Sequence, residues 1–138
     1  MVMGRVYLTL TEARHLLPLV EQRLSKLQEW HRQLVELRSV RMREHEYHVE
    51  TQLFILRVRK KYHYLLFKFY HELEKLLEMG CVMRDIAEGI IDFYSHYHER
   101  DIFLCWHVGE DTVSHWHEVT EGFDQRQPVL LLLKDSKV

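Results

Sequence analysis

Leu76-Leu77-Glu78-Met79-Gly80, followed by Gly89-Ile90-Ile91-Asp92-Phe93-Tyr94, is the stretch in which the chain changes its period. Before Gly80, apolar residues recur at three- and four-residue steps, which line them up on one stripe of a helix. After it they alternate, which puts them on one face of a strand. Gly80 itself stands where a left-handed residue closes a helix. The predicted fold class is therefore α+β: a long antiparallel helical hairpin with a small C-terminal antiparallel three-stranded β-sheet.

Towards the N-terminus the chain has neither proline nor glycine between Pro18 and Gly80, and its leucine, glutamate, arginine and lysine content favours helix. Leu16, Leu17, Val20, Leu24, Leu27 and Leu34 fall within about 100° of arc on a first helix. The second helix carries two stripes about 90° apart. One is Leu53, Leu56, Leu66, Tyr70, Leu73 and Leu77; the other is Ile55, Val58, Tyr62, Leu65, Phe69 and Leu76. So wide an apolar surface needs more cover than one neighbouring helix gives, so either the sheet or a second subunit packs on it. The polar segment Arg43-Glu44-His45-Glu46-Tyr47-His48 is the expected reversal of this coiled-coil-like hairpin. Val6-Tyr7-Leu8 reads as a short strand, and Thr9 with Glu12 has capping-box spacing. Pro18 predicts a kink or a short first helix.

Beyond Gly80, residues 89–94, 102–107 and 113–117 read as three short strands of a meander joined by the polar segments Ser95 to Asp101 and Val108 to Thr112. The sheet's apolar face is expected to cover the second helix. Pro128 to Lys134 reads as an edge strand beside Val6-Tyr7-Leu8, or else as an oligomer contact. No Gly/Ser/Pro linker interrupts the chain, so residues 1–138 form one domain: a short strand and helical hairpin over 1–79, a meander and C-terminal segment over 80–138.

Composition narrows the function classes. Of 138 residues, 46% are apolar and 29% charged; 19 lysines and arginines against 21 acidic residues leave a net charge of -2, which disfavours a nucleic-acid partner. The longest aliphatic run, Val129 to Leu133, is far too short for a membrane span, and Met1 to Leu10 lacks the pattern of a signal peptide. Two cysteines make no disulfide framework, so a cytoplasmic location is expected. All five glycines are isolated, which disfavours nucleotide-binding loops. The chain is histidine-rich, with eleven.

The densest chemistry lies between Leu104 and Glu118. Residues two apart on a strand share a face, so Cys105 with His107 and His115 with His117 form two pairs of candidate ligands. A three-residue loop would set Cys105 opposite His115 on one face; a two-residue loop would move both late histidines to the other. If the pairs converge, one sulfur and two or three imidazoles suit zinc or another transition ion. The same residues serve a cysteine nucleophile, with Cys105 as thiolate, His115 or His117 as base, and Asp92 or Glu110 orienting the ring. The plainer reading is a small buried cysteine and hydrogen-bonded histidines. His31 and His63, with Glu29 nearby, are candidate ligands inside the hairpin, though a core histidine bonded to Tyr62 or Tyr64 is the simpler account. His96 and His98 lie in a polar turn. Arg126 could hold an anion, or a salt bridge to Glu110 or Asp92.

Tyr7-Leu8-Thr9-Leu10-Thr11-Glu12-Ala13 and Leu17-Pro18-Leu19-Val20 resemble the start of a bacterial family known as domain of unknown function family 2203. The likeness continues through Gly80, Gly89-Ile90-Ile91-Asp92-Phe93, Leu104-Cys105-Trp106, Gly109-Glu110, Trp116-His117-Glu118 and Gly122-Phe123 to Arg126-Gln127-Pro128. The resemblance implies no particular activity. It carries over Asp92, Cys105, Trp106, Gly109, Glu110, Trp116, His117, Gly122 and Arg126. The chain departs from the family's usual pattern at His107 and His115, which leaves Cys105, His117, Glu110 and Asp92 as the economical ligand set. The expected function is a transition-metal (zinc or iron) binding protein. A cysteine-dependent enzyme or a metal-free helical interaction module are the alternatives. The expected partner is a second copy, a homodimer through the second helix.

Overall fold

A computed structural model describes residues 4–40 and 48–134. Helix α1 spans Leu10–Arg38 and opens on a capping box: the Thr9 side chain accepts from the Glu12 N–H, and the Glu12 carboxylate from the Thr9 N–H. The helix runs unbroken through Pro18. The expected short first helix is absent because Ala13, Leu17, Val20 and Leu24 are buried on both sides of the proline. Burying three such aliphatic side chains, at about 1.5–3 kcal/mol each, outweighs a proline cost of about 3 kcal/mol.

Helix α2 spans Val49–Glu78 and returns antiparallel to α1. Arg23 Nη1 lies 2.7 Å from Glu72 Oε1, His31 packs on Phe69, and Lys68 sits over Trp30. The expected reversal at Arg43–His48 falls outside the described residues apart from His48. The stripe containing Leu65, Phe69 and Leu76 is the buried one; Leu53, Leu56, Tyr70 and Leu77 of the other stripe stay exposed.

Gly80 ends α2 at φ +105°, and a Cβ built there would stand 2.9 Å from Val6 Cγ1. The chain then enters a sheet of five strands rather than three, in the order β1-β2-β3-β4-β5, every neighbouring pair antiparallel. The strands are β1 Cys81–Asp85, β2 Ile90–Tyr97, β3 Arg100–His107, β4 His115–Glu118 and β5 Gln127–Pro128. The two additional strands are β1, whose alternation is broken by a register shift between Met83 and Asp85, and β5, which is two residues long. After β5 comes the short helix α3, Leu130–Lys134, where an edge strand was expected; its Leu132, with Val129 before it, is buried. Val6-Tyr7-Leu8 is not a strand, but the Leu8 N–H donates to the Tyr94 carbonyl beyond the start of β1.

The β2–β3 connection is tighter than the expected polar loop. Only His98 and Glu99 lie outside the strands, both at positive φ (49° and 61°), as in a two-residue hairpin of the I′ kind. One face of the sheet carries Ile91, Phe93, Leu104, Trp106 and Trp116 into a common core with both helices. Two loops at the sheet's end are bonded to α1, Gln28 Nε2 donating to the Ile86 carbonyl in the β1–β2 turn and Arg14 Nε to that of Val113 in the β3–β4 loop. The expected cover over the other stripe of α2 is incomplete, with Leu53, Leu56, Tyr70 and Leu77 exposed. The other face holds the polar cluster.

Gly80→Ala places a Cβ in a left-handed position against Val6 and should lower unfolding free energy by about 1–3 kcal/mol. Gly122→Ala, where a Cβ meets open space, should be close to neutral. Urea unfolding of both variants checks this; equal midpoints would refute it.

Candidate metal centre

The register puts Asp92, Cys105 and His115 in one row across β2, β3 and β4, with Tyr94, Phe103 and His117 in the next. Cross-strand partners share a face, and this face is turned away from the helices. The β3–β4 loop has seven residues, 108–114, and gives the Cys105–His115 pairing that a three-residue loop would also have given. Cys105 is small. Over it the Asp92 and His117 side chains meet diagonally, Nε2 to Oδ2 at 3.0 Å. One potential ligand atom from each of Asp92, Cys105 and His117 lies within 4.8 Å of the other two, and all three residues are at most 1% exposed.

A carboxylate so completely removed from water is costly unless it is paired. Asp92 Oδ2 takes the His117 ring and the Nε–H of Arg84, whose side chain reaches in from solvent with its guanidinium over the Phe103 ring. Oδ1 is buried without a hydrogen-bond partner among the described residues. His117 faces acceptors on both sides: Nδ1 is 2.7 Å from the Glu118 carbonyl and Nε2 is 3.0 Å from the carboxylate. A ring with a single proton, donated from Nδ1, leaves the Nε2 lone pair aimed at the Asp92–Cys105 side. That contact requires either a proton shared with Asp92 or a cation. Burial, then the Asp92 charge and a hydrogen bond from the thiol to the Asp92 carboxylate, push Cys105 from 9.0 up to about 12, against a smaller opposing pull from Arg126. Cys81 is raised to about 12 by burial.

The neighbouring cluster accounts for the other candidates. Glu110 Oε1 accepts from the His107 N–H (2.7 Å) and Arg126 Nη1 (2.8 Å), while Oε2 lies 3.1 Å from His115 Nδ1. Burial alone would raise Glu110, but its bonds to Arg126 and the His107 N–H hold it below its ordinary value. Glu110 and His115 are thus brought together with Arg126 rather than into the triad. The His107 ring meets Phe123 edge-on, and Arg126 lies over the same phenyl ring at 4.1 Å. This clamp pins the segment around the short helical turn Phe123–Gln125 against the cluster. Trp106 and Trp116 belong to the opposite, helix-facing side, with Trp106 Nε1 donating to the Glu110 carbonyl. His31 packs on Phe69 while His63 is exposed, and Asp92, Cys105 and His117 form the group of three clustered metal-ligating side chains among the described residues. A cavity of about 230 Å³, lined by Arg84, Asp85, Ile90, Asp92, His117 and Phe123 among others, opens beside the pair.

The family model described as "Uncharacterized conserved protein (DUF2203)" matches residues 6–129. The chain belongs to this family. No curated protein and no solved structure matches it. Of the nine positions linked to DUF2203 by resemblance, seven divide between the buried triad (Asp92, Cys105, His117), the clamp (Glu110, Arg126) and the core (Trp106, Trp116), while Gly109 lies in the β3–β4 loop and Gly122 just before the turn Phe123–Gln125. Arg84 is the contributor that sequence reasoning missed; its signal is a basic residue on an edge strand, readable only once β1 is known.

The two raised thiols bind protons in the folded state that the unfolded chain releases. Their contribution to stability is therefore complete below pH 9 and is lost as pH rises towards about 12. The urea midpoint should fall above about pH 9, and fall less steeply in a Cys81→Ala/Cys105→Ala variant. An identical slope in both proteins would contradict the assignment.

Proposed function

We propose that this protein binds a transition ion, zinc or iron, through Asp92, Cys105 and His117. The observation that carries the reading is the convergence of a buried thiol, imidazole and carboxylate in which Asp92 Oδ1 has no hydrogen-bond partner among the described residues. Ligand atoms already within 4.8 Å need little movement to reach the roughly 3.3–3.7 Å spacing of a tetrahedral shell. A mixed sulfur, nitrogen and oxygen set suits zinc or ferrous iron rather than magnesium or calcium. The Glu118 carbonyl fixes the His117 tautomer, and Arg84 on Oδ2 orients the carboxylate, as such outer partners do around bound metals. Three protein ligands leave a coordination position for water or a small ligand, and the 230 Å³ cavity lies beside two of them.

A nucleophilic Cys105 with His117 as base has less support. The thiol is fully buried and held well above neutral pH, and the imidazole nitrogens are directed at Glu118 and Asp92. A metal-free reading draws on one observation, the Arg84–Asp92 ion pair, which already supplies a positive partner. Both cysteines are free, which supports a reducing compartment such as the cytoplasm.

Elemental analysis of protein purified without a histidine tag should give about one metal per chain. Zinc at roughly one hundred times its Kd should stabilise the fold by about 2.7 kcal/mol. Cys105→Ser and His117→Ala should abolish that stabilisation, while His107→Ala and His115→Ala retain it. An empty protein that gains no stability from zinc or ferrous iron refutes the reading and favours the Arg84–Asp92–His117 network.

A further inference from the structure

The outward side of α2 carries matched aromatic pairs about Phe67. Tyr64 and Tyr70 stand three residues away on either side, His63 and His71 four, and Lys60 and Glu74 seven, the last pair with opposite charge. Phe67 lies diametrically opposite the buried stripe of Leu65, Phe69 and Leu76 and is 69% exposed. Leu53, Leu56, Tyr64 and Tyr70 are all within about 60° of it round the helix, and each is at least 42% exposed. Together these five side chains present on the order of 600 Å² of largely apolar surface. Set along one helix face with Lys60 among them, they supply much of the roughly 800 Å² per partner in a standard interface.

A two-fold axis brings residue i to the level of residue j of the other copy when their sum is constant. About Phe67, antiparallel helices place Lys60 level with Glu74, Tyr64 with Tyr70 and His63 with His71. The N-terminal half of α2, with Arg57, Arg59, Lys60 and Lys61 beside Glu50, then runs alongside a C-terminal half that carries Glu74 and Glu78 together with Lys68 and Lys75, and Lys60–Glu74 is the opposite-charge pair brought level. The same axis carries Leu53 to the level of Cys81 in the second copy and Leu56 to that of Glu78. At that level an apolar groove of about 370 Å³ lies between Val6, Leu77, Gly80 and Val82. The N-terminal part of α2, residues 49–59, has no buried residue, and at the observed register it extends past the end of α1. We propose that the protein forms an antiparallel homodimer through α2, with Phe67 at the two-fold axis and the Leu53 end of each α2 seated in the other copy's groove.

Sedimentation equilibrium of the full chain should give about 34 kDa, twice 16.9 kDa, at roughly 100 μM and below. Phe67→Glu should return it to 16.9 kDa with its helical circular dichroism intact. Lys60→Glu should weaken association about tenfold, and Lys60→Glu/Glu74→Lys should restore it. On oxidation, a mixture of Lys60→Cys and Glu74→Cys chains should cross-link, whereas Lys60→Cys alone should not. A monomeric wild type, a dimer unaffected by Phe67→Glu, or self-linking Lys60→Cys chains would each overturn the proposal.

Discussion

The interaction on which the outer half of this protein depends is the pairing of Asp92 with His117 across β3. A carboxylate at 0% exposure has lost its water, and each neighbouring feature compensates part of that loss. Arg84 arrives from the edge strand, His117 from two strands away, and the Glu118 carbonyl holds the far side of the ring. Cys105 between them is small enough to let the two side chains meet. A larger residue at that position would separate them. The Phe123 segment, anchored by Arg126 on Glu110, then shields the cluster from solvent.

The sheet therefore has two chemically different faces. Alternation along β2 and β3 sends Ile91, Phe93, Leu104 and Trp106 to the helices and Asp92, Phe103 and Cys105 to the other side. The helices act as a platform for the first face, and α2 retains an exposed apolar surface on its far side. The cavity beside Asp92 and the groove beside Leu77 are lined by different residues.

Much of this was legible in the sequence. The change of period at Gly80, the capping box and the strands read over residues 89–94 and 102–107 follow from local stereochemistry, and each has its counterpart, the two strands reaching further into the expected loop, to Tyr97 and Arg100. Neither the extra strand β1 nor the tightness of the β2–β3 turn was legible. A bulge at Arg84 destroys the alternation of β1, and His98-Glu99 lacks the asparagine or glycine that marks a two-residue hairpin turn. The cluster was legible in its members but not in its partition. Spacing alone pairs Cys105 with His107 and His115 with His117, and leaves the loop to decide whether the two pairs share a face. The separation of Glu110 and His115 from the triad depends on Arg126, which arrives from a loop whose path no pattern dictates. Membership of the DUF2203 family supplies no chemistry of its own, so the functional argument rests on the geometry at Asp92.

The central claim concerns which atoms would surround a metal, and X-ray absorption at the zinc edge of the metal-loaded protein addresses it directly. The account predicts a first shell with one sulfur at about 2.3 Å and nitrogen or oxygen neighbours at about 2.0–2.2 Å, the sulfur lost in Cys105→Ser. A shell of nitrogen and oxygen alone in the unaltered chain would contradict it.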